Sequence, residues 1–302
     1  MTTSFSEKAP NPSNNFVATK KKSSILVFFS KLSRSWTGMV GFFIIMLLLF
    51  VSAFGQWIVP FDPLYADFSK KLLPPMTDGH LLGTDQLGRD ILSRIIMGAK
   101  VSVLIGVATV VVAGTFGTIV GVVAGYFRGW VDVILMRIVD VQLSFPFILL
   151  VLVINAIIGT GLRNIIISLA IGGWVIFARV IRSEVLALRE KEFITACVAT
   201  GVSRIGILVK HILPNLFTPI IILASLQIAT YIIAEASVSF LGFGVQPPTP
   251  AWGNMLNEGK DYVFSSWWLI TFPGIAIVIT ALGVNLFGDW LRDTLDPELK
   301  GE

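Results

Sequence analysis

Long apolar runs alternate with short polar segments along the whole chain. The apolar runs lie near 38–59, 101–125, 133–158, 164–181, 215–241 and 268–288. A run of about 20 apolar residues can cross the roughly 30 Å hydrocarbon layer as a helix, and helices satisfy their own backbone hydrogen bonds in lipid. The pattern therefore predicts an all-α integral membrane protein with about six transmembrane helices.

The composition agrees with a membrane protein and argues against other classes. Of the 302 residues, 54% are hydrophobic and 14% are charged, and the mean hydropathy is +0.80. The net charge of +4 arises from basic residues beside the apolar runs, without interleaved aromatics, so we expect no nucleic-acid partner. The single cysteine, Cys197, cannot form an internal disulfide.

The placement of basic residues predicts the orientation in the bilayer. Most of the 23 Lys and Arg residues fall near the termini, at 128–137 and at 179–210, which the positive-inside rule assigns to the cytoplasm together with both termini. The predicted organisation is a disordered cytoplasmic tail (1–24), a first transmembrane helix with an outer loop (25–100), a transmembrane core (101–288) that contains a polar loop (182–211), and a cytoplasmic C-terminal tail (289–302). A cleaved signal sequence is the alternative for the first run, whose length favours a retained helix.

The outer loop carries the sequence LGTDQLGRDILSR at 82–94. Leu87, Ile91 and Ile95 recur every four residues, which predicts an amphipathic helix along the outer membrane interface, capped by Thr84 or Asp85. An ordinary surface helix is the alternative. In the second apolar run, Gly117, Gly121 and Gly125 form small-xxx-small patterns, which predict close packing against a neighbouring helix.

The polar loop contains a segment that a simple connection between two apolar helices would not need. Residues 192–203 predict a short helix that presents Ala196 and Ala199 and ends at Gly201. Small residues with charged borders suit a groove on a partner protein, although an ordinary cytoplasmic connection would fit as well. Pro214 and Pro219, in the first turns of the next helix, indicate a hinge.

The fifth apolar run carries a polar stripe. Gln227, Tyr231, Glu235 and Ser239 recur every four residues. Polar groups are costly in lipid and usually face the bundle or water. The stripe therefore either lines a substrate path or serves packing and pairing within the bundle.

No catalytic or metal-binding signature accompanies these features. The sequence lacks GxxxxGK[ST], HExxH and paired CxxC motifs, so we expect no catalytic residue, metal or cofactor on this chain and place any ATP hydrolysis on another chain. An ion-coupled carrier would place ionisable groups at the bilayer centre, and a membrane-embedded enzyme would need a positioned nucleophile. Neither signature stands out.

Several sequence blocks resemble the permease subunits of bacterial ATP-binding-cassette importers of the dipeptide, oligopeptide and nickel group, and specifically their second permease. In the polar loop, Thr195, Ala196, Cys197, Gly201, Leu213 and Pro214 align with the family's Glu-Ala-Ala, glycine and Leu-Pro pattern, with threonine in place of glutamate and cysteine in place of the second alanine. The other blocks are LGTDQLGRDILSR, SFPFILL (144–150), HILPN (211–215), ASVSFLGFGVQPPTPAWGNML (236–256) and GDWLRDTLDPELKG (288–301).

The resemblance implies a multi-pass protein of the bacterial cytoplasmic membrane that forms half of a solute path. It implies a second, related permease, two ATPase subunits that bind ATP and Mg, and an external solute-binding protein. It also implies that the loop helix docks on the ATPase through Glu192, Thr195, Ala196, Ala199, Gly201 and Val202. The sequence does not identify the solute among peptides, glutathione-like thiols, opines or nickel chelates.

Overall fold

The protein is helical throughout the part that the structure describes, as the apolar pattern predicts. The computed structural model describes residues 24–295, with side chains from residue 28 onward. Most of the predicted N-terminal tail, and residues 296–302 of the predicted C-terminal tail, lie outside the described residues. The α-helices within this range are α1 (Ser24–Leu32), α2 (Trp36–Ile58), α3 (Ile91–Phe127), α4 (Gly129–Leu143), α5 (Phe147–Ile158), α6 (Leu162–Arg189), α7 (Glu192–Ala199), α8 (Arg204–Ile207), α9 (Leu213–Phe240), α10 (Trp252–Gly259) and α11 (Trp268–Leu295).

Five helical segments are long and apolar enough to cross a membrane. They are α2, α3, α6, α11 and the segment Arg204–Phe240, which joins α8 to α9. The predicted third span, 133–158, is wrong as a single straight helix: α4 and α5 meet at an angle of 89° and form a sixth span only as a bent pair. The bend follows from Pro146, which lacks an N–H and pushes the residue before it out of the helical region.

The predicted amphipathic interface helix is not a separate element. Residues 82–90 form a loop, and α3 then runs unbroken for 37 residues from Ile91. Asp90 caps this helix by accepting a hydrogen bond from the Ser93 amide, so neither Thr84 nor Asp85 is the cap. The apolar spacing predicts a helix wrongly here, because Gly83 and Gly88 adopt positive φ values of 81° and 78°, which are incompatible with a right-handed helix.

Close packing of α3 on α6 forms the centre of the bundle, as the glycine pattern predicts. A Cβ on Gly117 would lie 2.3 Å from the Trp174 carbonyl oxygen, and one on Gly121 would lie 2.6 Å from that of Ala178. Any side chain at these positions would therefore force the two backbones apart. α9 packs against both α3 and α11, and α2 packs against α11 and α3.

The two C-terminal spans run further than the apolar runs suggest. A π-helical turn, Leu208–Ile212, connects α8 to α9, so helical structure continues from Arg204 to Phe240. Pro214 follows this turn, where the missing N–H and the proline ring favour a widened turn over an α-helical one. α11 continues to Leu295, past residue 288 where the predicted core ends.

Candidate functional site

The short helix α7 ends where the polar loop reverses direction. Gly201 has a left-handed φ of 79°. Its amide donates to the Val198 carbonyl and the Val202 amide donates to the Cys197 carbonyl, both at 3.1 Å. These two hydrogen bonds form a Schellman motif, in which glycine avoids the Cβ penalty of the left-handed region. The predicted helix stop at Gly201 is confirmed.

α7 is held to the bundle on one side and exposed on the other. Ile194 is 3% exposed and packs with Leu188, Ile207 and Ile212. Phe193 and Val198 are 42% and 60% exposed. All the residues predicted to dock on a partner are exposed: Glu192, Thr195, Ala196, Ala199, Gly201 and Val202. The free face of α7 is therefore small and largely apolar, with Glu192 at its N-terminal edge.

Hydrogen bonds tie the polar loop to the end of α3. The Tyr126 hydroxyl donates to the Arg204 carbonyl at 2.9 Å, and the Arg189 guanidinium donates to the Tyr126 carbonyl at 2.5 Å. Arg189 also lies over the Tyr126 ring, 5.3 Å from its centroid. Arg128 pairs with Glu190 at 3.2 Å on the surface. The loop is therefore in direct contact with the adjoining ends of α3 and α6 and with the turn between α3 and α4.

Cys197 lies on the inner side of this loop, and the predicted hinge prolines follow it in α9. The Cys197 Sγ lies 3.7 Å from the His211 Nε2 across the gap between α7 and the π-turn. Pro214 is exposed at the start of α9, and Pro219 lies partly buried within it. Within residues 24–295, no group of three or more His, Cys, Asp or Glu side chains is placed to hold a metal ion.

The polar stripe of α9 is buried inside this chain. Gln227, Tyr231, Glu235 and Ser239 are at most 8% exposed. Glu235 accepts a hydrogen bond from Ser239 Oγ at 2.6 Å and another from Ser102 Oγ of α3 at 3.4 Å. The stripe thus faces neighbouring helices of the same subunit. Its role in lining a path stays a prediction, and the burial favours packing.

A buried ionic cluster at the opposite end of the bundle was missed by the sequence reasoning. We call it the Asp85–Glu258 cluster; it comprises Asp85, Arg89, Arg94 and Glu258. Asp85 accepts from Arg89 Nε at 2.7 Å and from Arg94 Nη1, and Glu258 accepts from Arg89 Nη2 at 2.6 Å and from Arg94 Nη1 at 2.8 Å. The charges of LGTDQLGRDILSR were a signal for it, but Glu258 of α10 lies far away in the sequence.

Tight turns hold the loop around this cluster. A Cβ at Gly88 would lie 1.8 Å from the Asp67 carbonyl oxygen, so only glycine fits. The Asp67 carboxylate accepts hydrogen bonds from the Ser69 hydroxyl and amide at 2.6 and 3.0 Å, and these bonds lower the pKa of Asp67. The loop is therefore an ordered structure packed on α3 and α10.

The tryptophans near this end divide into buried and exposed residues. Trp252 is 2% exposed and donates from Nε1 to the Ile95 carbonyl at 3.0 Å, and Trp268 is 7% exposed and donates to the Thr84 carbonyl at 3.2 Å. Trp267 is 52% exposed. Of these three, Trp267 is positioned to contact a membrane interface, whereas the other two fasten α10 and α11 to the loop and α3.

Comparison with known proteins places this architecture among transport proteins. The family model described as binding-protein-dependent transport system inner membrane component matches residues 117–301, and that described as N-terminal TM domain of oligopeptide transport permease C matches residues 26–75. A dipeptide transport system permease protein, DppC, of Alkalihalophilus pseudofirmus is 41% identical over 272 residues, which cover 90% of this chain and 89% of the relative.

Two further comparisons agree with these matches. A glutathione transport system permease protein, GsiD, of Escherichia coli is 42% identical over 275 residues, covering 91% of this chain and 90% of the relative. A chain of the MetNI methionine ABC transporter in an inward-facing conformation superposes with a TM-score of 0.54 at 20% identity, covering 68% of this chain and 97% of that chain. The structural likeness concerns the fold alone.

Proposed function

Because this chain belongs to the family of inner membrane components of binding-protein-dependent transport systems, we propose that it forms half of the translocation path of an importer for peptides or similar small solutes. The importer is of the ATP-binding-cassette type, and this subunit is a multi-pass protein of the inner membrane. Its partners are a second, related permease, two ATP-binding subunits and an extracytoplasmic solute-binding protein. ATP and Mg are bound, and ATP is hydrolysed, on the ATP-binding subunits.

The names of the relatives support this choice of solute class. One relative is named for dipeptide transport and the other for glutathione transport, and each aligns with about nine-tenths of this chain. Both solutes are short peptides that carry amino and carboxylate groups. A solute of this chemistry is the proposed cargo, and the binding protein selects it before delivery.

The exposed face of α7 is the proposed docking site for the ATP-binding subunits. The single observation that carries this proposal is the combination of small exposed side chains on α7 with the hydrogen bonds that link its loop to α3 and α6. ATP binding on the partners stabilises one arrangement of the spans over the other, because the partners contact α7 differently in the two arrangements.

The proposed orientation places the α7 end in the cytoplasm. Arg128, Arg189, Lys191, Arg204 and Lys210 all lie at this end, in the polar loop or in the α3–α4 turn that contacts it. Positive residues in short loops favour the cytoplasmic side. Both termini then lie on the cytoplasmic side, and the Asp85–Glu258 cluster lies on the outer side.

Reconstitution of the complete importer in liposomes tests the proposal. With the binding protein, ATP and labelled dialanine, we expect uptake that stops when ATP hydrolysis is blocked and persists when proton and sodium gradients are collapsed. We expect Ala196→Glu to reduce ATP-driven uptake at least tenfold, because a carboxylate would enter the small-residue face of α7 that docks on the partner. The readouts are uptake and co-purification of the ATP-binding subunits.

Ala187→Glu provides the matched control. Ala187 is exposed near the same end of the bundle, but it belongs to α6 rather than to α7. The same substitution there should leave uptake near the wild-type level. Equal uptake by Ala196→Glu and wild type would remove α7 as the docking element, and uptake that depends on an ion gradient would favour a secondary carrier.

A further inference from the structure

The bend between α4 and α5 differs from every other break in the bundle because it is exposed inside the membrane. We propose that this bend, at Ser144, Phe145 and Pro146, lines the water-filled translocation path, together with the Asp140–Arg179 ion pair beside it. The proposal deepens the transport function above and rests on it. It assigns the path to α4, α5 and α6 rather than to the polar stripe of α9.

The position of the bend is fixed by hydrogen bonds to α6. Gln142 Nε2 donates to the carbonyls of Ile171 and Gly172 at 2.7 and 3.0 Å, and its Oε1 accepts from Trp174 Nε1 at 2.9 Å. Phe147 packs where Gly172 has no side chain, since a Cβ there would lie 2.7 Å from the Phe147 ring. The contacts of Gln142 and Phe147 with α6 therefore hold the bend in place.

The bend lies at the depth of the hydrocarbon layer. α6 has 28 residues, or about 42 Å at about 1.5 Å per residue, and Trp174 lies about 18 Å from its start and about 22 Å from its end. The hydrocarbon layer is about 30 Å thick, so about 12 Å of α6 extends beyond it. However that excess is divided between the two ends, the level of Trp174 stays at least about 6 Å inside the layer.

Exposed non-helical backbone is not stable against lipid tails. Ser144, Phe145 and Pro146 are all exposed in this chain. The Ser144 and Phe145 amides donate to carbonyls at the end of α4, but Pro146 has no N–H with which to continue the helical hydrogen bonds. Irregular backbone at this depth occurs only where it is buried in protein or lines a water-filled cavity. No residue within 24–295 buries it, so a partner or water must.

The ion pair beside the bend decides in favour of water. Arg179 Nη2 lies 3.0 Å from Asp140 Oδ1, and the two side chains are 59% and 54% exposed. Arg179, which the charge pattern assigns to the cytoplasmic border, is about 15 Å from the α7 end of α6, so it lies at least about 3 Å inside the hydrocarbon layer however the excess of about 12 Å is divided. Charged groups at such depth face the bundle interior or a water-filled cavity, and this pair faces out of the subunit.

The chemistry of the pair fits a zwitterionic solute. The Arg179 guanidinium can bind a carboxylate in a bidentate manner, and the Asp140 carboxylate can accept hydrogen bonds from an ammonium group. A peptide carries both groups, one at each terminus. The pair can therefore exchange its internal contact for contacts to the passing solute, without leaving either charge unpaired.

Thiol labelling in the assembled importer tests the proposal without relying on peptide uptake. The probe is a methanethiosulfonate reagent that carries a sulfonate group and reacts with thiolates, which form in water and not in lipid. Ser144→Cys should be labelled at least tenfold faster than Val278→Cys, in the nucleotide-free state or in the vanadate-trapped state. Val278 is 64% exposed near the middle of α11 and serves as the lipid-facing control. Mass spectrometry of the digested chain separates the new label from that on Cys197.

Each outcome decides between the alternatives. Labelling of Ser144→Cys no faster than that of Val278→Cys in both states would overturn the proposal and place the bend against lipid or the second permease. Fast labelling in an importer that does not take up dialanine would uphold the water-lined bend and refute dialanine as a cargo.

Substitutions in the ion pair test its contact with the solute. For an importer that transports dialanine, Arg179→Gln and Asp140→Asn should each reduce the uptake rate at saturating binding protein at least fivefold, with normal assembly. Wild-type uptake rates in both variants would overturn the role of the pair. Asp289→Asn offers the matched control, because it neutralises an exposed carboxylate of α11 outside the proposed path.

Discussion

Replacement of Glu258 by alanine should strongly destabilise the end of the bundle opposite α7. Glu258 lies in α10 and is 13% exposed at its side chain. It accepts hydrogen bonds from Arg89 Nη2 at 2.6 Å, from Arg94 Nη1 and Nη2 at 2.8 and 3.1 Å, and from Gln86 Nε2 at 3.3 Å. The variant removes the acceptor of four hydrogen bonds, three of them donated by guanidinium groups.

The magnitude follows from the charge that remains. Arg89 and Arg94 have side chains that are 6% and 2% exposed, and Asp85 is their remaining carboxylate partner in the cluster. Two buried guanidinium groups would then share one carboxylate, which leaves one positive charge uncompensated. Removal of one partner from a buried ion pair typically costs about 3–5 kcal/mol. We expect Glu258→Ala to lower the free energy of unfolding by about that amount.

Thermal unfolding of the detergent-purified importer measures this effect. The tryptophan fluorescence of the complex should report it, because Trp252 and Trp268 pack beside the cluster. At roughly 2–4 °C per kcal/mol, the expected decrease in Tm is roughly 6–20 °C. Glu258→Gln should fall between wild type and alanine, since its amide oxygen still accepts a hydrogen bond while the charge is lost.

Asp261→Ala is the control for this prediction. Asp261 follows α10 closely, is exposed, and makes no ion pair with any residue in the described part of the chain. Its replacement should change Tm by less than about 1 °C, because surface positions contribute little. A Tm for Glu258→Ala that equals that of the control would refute the reasoning and show that the cluster adds no net stability.

Two other predictions concern the interior of the bundle. Gly121→Leu should abolish accumulation of the chain in the membrane, because the added Cβ would lie 2.6 Å from the Ala178 carbonyl oxygen. Gly274→Ala should accumulate normally, since no atom lies closer than 4.0 Å to its added Cβ. Immunoblots of membrane fractions compare the two variants. Glu235→Gln should keep dialanine uptake within about twofold of wild type, because the amide oxygen still accepts the Ser239 hydrogen bond. A tenfold loss of uptake in an assembled complex would return Glu235 to the solute path.

The features predicted well from the sequence are those with a local cause. Apolar runs form helices because lipid satisfies no backbone hydrogen bond. α7 ends at Ala199 because Gly201, two residues later, adopts the left-handed conformation. The glycines of α3 indicate close packing, because a helix without side chains at these positions lets the backbone of a neighbouring helix approach. Each of these conclusions needs no knowledge of a distant partner.

The features missed depend on distant contacts or on a competing pattern. Leu87, Ile91 and Ile95 have helical spacing, but Leu87 lies in the loop before α3 begins at Ile91. Glu258 lies 164 residues after Arg94 in the sequence, so no local pattern near 82–94 indicates the ion pairs between them. The 133–158 run reads as one span because the apolar residues on both sides of Pro146 hide the bend.

The contrast between α3 and the α4–α5 pair connects the two proposals. α3 is unbroken over 37 residues, packs on α6 without intervening side chains at its glycines, and carries Tyr126 at one end and the Asp85–Glu258 cluster near the other. We therefore expect a movement of the polar loop at Tyr126 to displace α3 and α6 together. α4 and α5 touch that body through the Gln142 hydrogen bonds to α6, just before the bend. A rigid pair that transmits movement and a bent pair whose angle can change are the two parts that alternating access requires, since the solute path must change shape while the element that drives it does not.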